Sequence, residues 1–507
     1  MATVLPGKQR RKGASNAAES AKRNVEQDMS NVERRNPNVS NVQRQAESPK
    51  ASIAKTSLLH VPSSNVFQAH ELRSLNFFLD KTIVQISSPF SQGLWSQAVP
   101  SIAQQESSIK HALMALSEFH EKFMSSTRSH HELGRSALKH YNVAIRGLLS
   151  TEKQKTSPVI GLLCCLLFFV VELLQGRLAS AVQLFRAGRR IIHELERSAL
   201  QAVQLESYHE LFRVLKGAFI RAEYHVSAYF AKLHSDLSFE DCYGTGNTID
   251  ASSESINENC HPTTLAIFNS IPQALEELRR FTHNMVNKSY SHITNPQSDQ
   301  QRLANWCAAF ESLKQTMPNP HTIENKSKIL GIEIWWRSVA LHIHAVSESS
   351  HSSNPMWWDQ HQAQLEDLLD YIEKSVLLHC GKHGDTGLNE KPSSPSFCLE
   401  SGIVSHLIFV ITRCRDPYVR RRALSLLKMY NRQEGLLQRE LTIDFCQQMM
   451  DLEERGLEVK CAADIPAEAR VMGTSMELHS EAPELEIKYL IGGEWITEVI
   501  TWSSADD

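Results

Sequence analysis

The sequence predicts a mostly α-helical fold, either a large helical bundle or stacked helical hairpins, with a small C-terminal β-hairpin. Apolar residues recur every three or four positions from about residue 66 to residue 454, which is the spacing of amphipathic helices. In about the last forty residues the spacing approaches two, which indicates strands. We therefore expect an N-terminal arm at 1–62, a helical domain at 63–462 and a β-rich segment at 463–507 that packs on the helical domain.

The composition is that of a chain that buries a core. Of its 507 residues 41% are hydrophobic and 22% are charged, which excludes a wholly disordered or fibrous protein. The 53 basic and 57 acidic residues nearly balance, so the total charge alone does not indicate a nucleic-acid-binding protein.

The charge is distributed unevenly along the chain. Residues 1–60 hold 11 basic and 5 acidic residues, so this arm carries +6 and the remainder −10. The arm is rich in Asn, Ser and Gln, and it cannot bury enough apolar area to offset the entropy of ordering, so we expect disorder. Its basic groups resemble a nuclear localisation signal, although a solvated tail without a targeting role is equally compatible. The residues of this predicted signal are Lys8, Arg10, Arg11, Lys12, Lys22 and Arg23.

The longest apolar run extends from Val159 to Val171 and is closed by Glu172. A membrane span needs about 20 apolar residues, so we interpret this run as a buried core helix and expect no membrane partner. No apolar stretch follows Met1 that could serve as a signal peptide.

Later helices are predicted from the same periodicity. The start of one helix is also predicted from its capping residues, because the carboxylate of Asp416 precedes Pro417 at the first helical position. Breaker-rich links are predicted at Ser235–His261 and His379–Ser396. The predicted helical stretches are Glu206–Lys232, Thr264–Met285, Gln300–Thr316, Lys326–Val346, Met356–Leu378, Gly402–Arg413, Pro417–Tyr430 and Leu436–Glu454. Near the C-terminus, Gly492-Gly493 between two alternating runs predicts a hairpin turn.

Motifs of enzymes and metal centres are not found in the sequence. There is no phosphate-binding loop, no dinucleotide fingerprint and no nucleophile elbow, so we predict no enzyme activity, no catalytic residue and no cofactor. The ten cysteines are scattered without a C-x-x-C pair, which is typical of a reducing compartment and predicts neither disulfides nor a zinc site.

Histidines and tryptophans offer weaker candidates. His379 and His383 have helical spacing, but the intervening Gly381 argues against a shared face, so no metal ligand is predicted. His342 and His344 face apart on their helix and are interpreted as packing or polar-face residues. The pairs Trp335-Trp336 and Trp357-Trp358 are interpreted as core packing rather than as a ligand pocket.

The densest basic group after residue 60 consists of Arg413, Arg415, Arg420, Arg421 and Arg422. Such a group can bind phosphate or an acidic partner. Because the rest of the chain is acidic, neighbouring acidic faces of the same protein are the simpler partners.

Four segments, in order along about residues 66–502, resemble the helical regulatory region of fungus-specific transcription factors, also called the middle homology region. The third, which leads to Arg432-Gln-Glu-Gly435, is the most specific. The segments are Glu71–Thr82 with Ile109–Glu121, Ala137–Arg146 with Glu172–Arg177, Arg413–Leu427 with Arg432–Gly435, and Ile465–Val471 with the terminal strands.

The resemblance has one departure. Family members that bind DNA carry an N-terminal binuclear zinc cluster of six cysteines, whereas the first cysteine here is Cys164, within the apolar run. The resemblance implies a nuclear transcription regulator of a filamentous fungus that acts without its own zinc cluster. Secondary-metabolite or nutrient genes are the targets that the resemblance implies. It would act through transcription factors or co-regulators, as a homo- or heterodimer, and direct DNA binding is not expected. The alternatives are a truncated zinc-cluster factor and a cytoplasmic scaffold or ligand-sensing protein that does not bind DNA.

Overall fold

A computed structural model describes residues 69–87, 91–125, 131–150, 157–197, 208–229, 267–290, 296–347, 354–381, 394–400, 402–478 and 484–501. The six residues of the predicted nuclear localisation signal lie outside these ranges. Across the described residues the fold is mostly helical with a small antiparallel sheet at the C-terminal end, which confirms the predicted fold class. The boundaries of the three predicted domains stay a prediction.

The N-terminal helices form successive packed pairs. The helix Ser107–Met124 packs along His131–Ser150, and Pro158–Leu174 packs along Leu178–Arg197. Two π-helical turns, Phe78–Thr82 and Leu94–Ala98, join the first short helices. The helices are α1 Ala69–Phe77, α2 Ile83–Ile86, α3 Val99–Ala103, α4 Ser107–Met124, α5 His131–Ser150, α6 Pro158–Leu174, α7 Leu178–Arg197 and α8 His209–Tyr229.

The apolar run Val159–Val171 lies within α6, and nearly all of its side chains are buried in the main core. Because neighbouring helices cover this helix on several faces, it is apolar all round. The predicted core helix is thus confirmed. Within the part of the chain that the structure describes, no helix is long and apolar enough to cross a membrane.

A second, smaller core lies between the next three helices. The third of these helices, α11 (Ile323–Ser347), contributes Ile334 and Leu341 to the main core, while its residues Ile332 and Val339 belong to the second core. This helix therefore joins the two cores. The elements are α9 Ile271–Tyr290, α10 Pro296–Thr316, α11 Ile323–Ser347 and α12 Gln362–Gly381, the last preceded by a 3₁₀ turn at Trp357–His361.

Three further helices follow, the first two of which carry the dense arginine group, and two three-residue strands pair in parallel. The predicted cap is confirmed, because Asp416 Oδ1 accepts the backbone N–H groups of Tyr418 and Val419 at 3.0 Å each. The parallel strand pair was not predicted, since three residues are too few to show alternation. The elements are β1 Ser396–Cys398, α13 Ile403–Arg413, α14 Pro417–Met429, β2 Arg432–Glu434 and α15 Arg439–Glu453.

The C-terminal sheet has the antiparallel order β3-β4-β5, with strands Val471–Leu478, Glu484–Ile491 and Glu494–Thr501. Gly492 and Gly493 form the predicted turn between β4 and β5, and their φ angles of 58° and 88° are ones that glycine adopts without strain. The buried face of the sheet packs towards α15, where the ring of Tyr489 stacks on that of Phe445 with 6.2 Å between centroids.

Candidate functional site: the late arginine segment

The five arginines of the dense basic group lie where α13 and α14 meet. Arg413 ends α13, Arg415 lies in the link, and Arg420, Arg421 and Arg422 are consecutive in α14. Consecutive residues of a helix point about 100° apart, so the last three side chains face different surroundings. The segment therefore cannot present all five charges on one surface.

Arg415 and Arg420 both point inward at the carboxylate of Glu453 in α15. Glu453 Oε1 accepts Arg415 Nη2 at 2.8 Å, and Oε2 accepts Arg420 Nη2 at 2.6 Å. Glu453 Oε1 also accepts the backbone N–H of Val471 at 2.7 Å. One fully buried carboxylate thus ties α14, α15 and the first residue of β3 together.

The charges of this buried cluster compensate one another. Burial alone would raise the pKa of Glu453, but Arg415, Arg420 and the N–H of Val471 hold it below the usual value. Glu454 Oε1, 3.7 Å from Arg420 Nη1, adds a second negative charge. The charges of Arg415 and Arg420 are thus directed at carboxylates of the same chain, and both guanidinium groups are buried rather than exposed to an external phosphate.

The remaining arginines of the group have partners on the same chain. Arg421 pairs with Glu454 at 2.5 Å, and Arg422 donates to Asp370 at 2.7 Å. Arg413 lies over the ring of Trp358, 5.4 Å from its centroid. The predicted use of acidic neighbours is confirmed for four of the five arginines, and the cation–π contact was not foreseen.

Arg470 is a second buried arginine, which the sequence reasoning missed. Its guanidinium binds Asp359 through both terminal nitrogens, at 2.7 and 2.8 Å, and also donates to the carbonyl oxygens of Ile465 and Ala462. The contact joins the segment before β3 to the 3₁₀ turn before α12. The only signal in the sequence is its place within the family-like stretch Ile465–Val471.

Glu434, the last residue of β2, caps the N-terminus of α13 from outside that helix. Its carboxylate accepts the backbone N–H groups of Gly402, Ile403 and Val404 at 2.8, 2.8 and 3.1 Å. Burial raises the pKa of Glu434, while these N–H groups oppose the rise. A Cβ on Gly402 would lie only 2.6 Å from Glu434 Oε1, so glycine is required for the close approach.

The predicted histidine candidates have structural contacts. His379 Nδ1 lies 3.2 Å from the carbonyl oxygen of Ser375, and His383 lies outside the described residues. His342 donates to the carbonyl oxygen of Ser338 and stacks on Phe409. Within the described ranges, no group of three or more His, Cys, Asp or Glu residues could hold a metal ion.

The tryptophan pairs pack as the sequence predicts. Trp335 and Trp336 lie against the second core and Trp358 lies against the main core, while Trp357 is buried against its neighbour. Trp336 Nε1 donates to Glu333 at 2.8 Å, which satisfies its polar edge.

His120 is buried in α4. Its spacing in the sequence predicts only that it lies on the apolar face of a helix. Its Nδ1 lies 3.0 Å from Thr82 Oγ1, and its Nε2 lies 3.0 Å from Gln85 Oε1, which also accepts the N–H of Phe397. Burial lowers the pKa of His120 to about 4. The side chain is a neutral structural link between α4, the first helices and β1.

Two joined hydrophobic cores and buried ion pairs define a mostly helical domain with an internal, structural use of its arginines. The chain matches the fungal specific transcription factor domain over residues 73–382, and it belongs to that family. The family consists of transcription regulators, not enzymes, and the resemblance drawn from the sequence is confirmed. The arginine segment lies beyond the matched range, so its likeness to the family stays an interpretation.

A curated relative extends the similarity beyond the matched domain. The chain is 22% identical over 493 residues to the aspercryptin biosynthesis cluster-specific transcription regulator atnN of Emericella nidulans, an alignment that covers 79% of this chain and 77% of the relative. No solved structure matches the chain. Family and relative together establish a transcription regulator.

Proposed function

We propose that this transcription regulator acts in the nucleus of a filamentous fungus and controls its genes through protein partners. The observation that carries the proposal is the family match over residues 73–382, extended by a relative that is itself a transcription regulator. The arginine segment supports the reliance on partners. Four of its five arginines pair with carboxylates of this chain, and two of these are buried, so they do not form the free basic surface that binding to DNA phosphates requires.

Nuclear entry is assigned to the basic arm, in which clustered lysines and arginines can be recognised by the import machinery. The test follows a fluorescently tagged chain in which the signal residues are replaced by alanine; these are Lys8, Arg10, Arg11, Lys12, Lys22 and Arg23. Loss of nuclear accumulation is expected. A matched control replaces five other basic residues of the arm, namely Arg34, Arg35, Arg44, Lys50 and Lys55.

The alternative of a cytoplasmic scaffold or sensor makes the opposite prediction. If the parent chain stays in the cytoplasm even when nuclear export is inhibited, the nuclear proposal fails. If the control variant loses nuclear accumulation as fully as the signal variant, the six residues are not a specific signal.

Control of a group of biosynthetic genes is proposed from the relative, whose name describes regulation of one such cluster. We do not propose that this chain controls synthesis of the same compound. Comparison of metabolite extracts from strains with and without the gene tests the proposal. We expect one class of compounds to be lost or increased, whereas unchanged extracts under every growth condition that expresses the gene would contradict it.

Reading of duplex DNA is assigned to a partner, because the arginines at the junction of α13 and α14 are mostly paired with carboxylates of the same chain. We expect the purified chain to give no sequence-selective gel shift by itself. A selective shift that persists at raised salt would overturn this assignment. Transcripts with an in-frame cysteine cluster upstream of Met1 would favour the alternative of a truncated zinc-cluster factor.

A further inference from the structure

β5 is one of the two outer strands of the C-terminal sheet. No described strand pairs with its outer side. Edge strands are commonly protected by charged residues, above all lysine, by proline or by a bulge. β5 contains neither lysine nor proline and pairs with β4 in continuous register, and its charged residues are Glu494 and Glu498. Its side chains Trp495 and Val499 are 54% and 50% exposed.

The turn determines which backbone groups of β5 point outward. Ile491 pairs with Glu494 across the two-residue turn, and the residues that close such a turn form a hydrogen-bonded pair. Because the pattern alternates along a strand, Trp495, Thr497 and Val499 direct their N–H and C=O groups away from β4. Outward backbone groups therefore occur at all three positions, and two of the three, Trp495 and Val499, also carry exposed apolar side chains.

We propose that a second copy of this chain pairs antiparallel with β5 about a two-fold axis at Thr497, which joins the two sheets into one. In this register Thr497 lies opposite its own counterpart, and Trp495 lies opposite Val499 of the second copy. Aromatic–β-branched pairs and Thr–Thr pairs are both favourable across strands. An isologous contact of this kind closes on itself as a dimer.

Charge distinguishes this register from its neighbours. An axis at Glu498 would place that carboxylate directly opposite its own copy, and an axis at Ile496 would place Glu494 opposite Glu498. Like charges directly opposite one another destabilise a strand pair. The axis at Thr497 sets each glutamate opposite an isoleucine, so that, unlike the other two axes, it places no two glutamates directly opposite one another.

The inference concerns the assembly of the chain and does not depend on the proposed gene control. Its test is the molar mass of the full chain by sedimentation equilibrium, with twice the monomer mass of 57.3 kDa expected. Thr497→Pro removes the outward N–H at the axis without removing a bond to β4, and we expect it to be monomeric. Thr497→Val keeps the N–H and serves as the matched control, which we expect to remain dimeric.

A charge-pair experiment tests the register independently of the proline variant. Trp495→Lys and Val499→Glu, made singly, are expected to weaken self-association at least about tenfold. Combined in one chain they place opposite charges across the axis twice, so self-association should recover. This recovery is specific to the axis at Thr497, because other registers do not set positions 495 and 499 opposite each other.

Circular dichroism of each variant separates unfolding from loss of the contact. A folded parent chain that remains at 57.3 kDa in the micromolar range overturns the inference. So does a dimer that folded Thr497→Pro leaves unchanged, or a double variant that associates no better than the single variants.

Discussion

The guanidinium of Arg420 and the carboxylate of Glu453 meet at 2.6 Å, and neither side chain is exposed to solvent. The two residues lie 33 positions apart, in α14 and α15. Hydrogen bonds offset part of the hydration that a buried ion loses, and Arg420 Nε donates to the carbonyl oxygen of Ile411 at 3.0 Å. Two arginines of the most basic stretch, Arg415 and Arg420, thus belong to the interior.

Glu453→Gln should destabilise the fold strongly. The substitution leaves Arg415 and Arg420 buried without their shared counter-charge, and breaking a buried ion pair in this way costs about 3–5 kcal/mol. Urea unfolding followed by circular dichroism measures the free energy of unfolding. Arg421→Ala is the control, because Arg421 is 54% exposed and surface pairs contribute about 0–1 kcal/mol. Equal losses for both variants would contradict the buried network.

The contact between Glu434 and Gly402 predicts non-additive substitutions. Glu434→Ala leaves three N–H groups at the start of α13 without their acceptor. We expect this loss to lower the free energy of unfolding by about 2–4 kcal/mol. Gly402→Ala forces a methyl group against the carboxylate and should cost about 1–3 kcal/mol. In the double variant the collision disappears, so we expect the total loss to be smaller than the sum.

A matched glycine tests whether the effect at Gly402 is steric. Gly331 lies in α11, and a Cβ there would meet nothing within 4 Å. Gly331→Ala should therefore be neutral or stabilise the fold by up to about 1 kcal/mol, because alanine has the higher helix propensity. Strict additivity of the two substitutions at the cap would refute the proposed contact.

Acid should destabilise the fold through His120. Burial lowers its pKa to about 4 in the folded chain, whereas an unfolded histidine titrates near 6.5. Between these pH values the unfolded chain binds more protons than the folded chain. The stability that the neutral His120 contributes is therefore complete above pH 6.5 and is lost as the pH falls towards 4. The difference corresponds to about 3 kcal/mol.

The measurement is the free energy of unfolding at several pH values from 7 to 4. His120→Gln stays neutral throughout and should flatten the acid loss, while His344→Gln, on the exposed face of α11, is the matched control. An unchanged pH dependence in His120→Gln would show that other groups cause the acid loss.

The sequence predicted those features that arise from local chemistry. The apolar run in α6, the cap at Asp416 and the turn at Gly492-Gly493 each depend on neighbouring residues, and each is found where it was expected. The family resemblance, which combines many positions, was also correct.

Long-range partners could not be predicted from local patterns. Nothing near Glu434 indicates that it caps a helix that begins 31 residues earlier in the chain. His120 was assigned to an apolar face because its spacing matches, and its links to Thr82 and Gln85 depend on the packing of separate helices. Sequence reasoning anticipated acidic partners for the arginines but could not name Glu453.

The central claim, that this chain regulates transcription, is tested most directly by nascent RNA sequencing minutes after rapid, induced degradation of the tagged protein. We predict an early change in a small set of genes, several of them adjacent on a chromosome, with reversal when the protein is restored. If no gene changes its nascent transcription before general growth effects appear, the claim is contradicted.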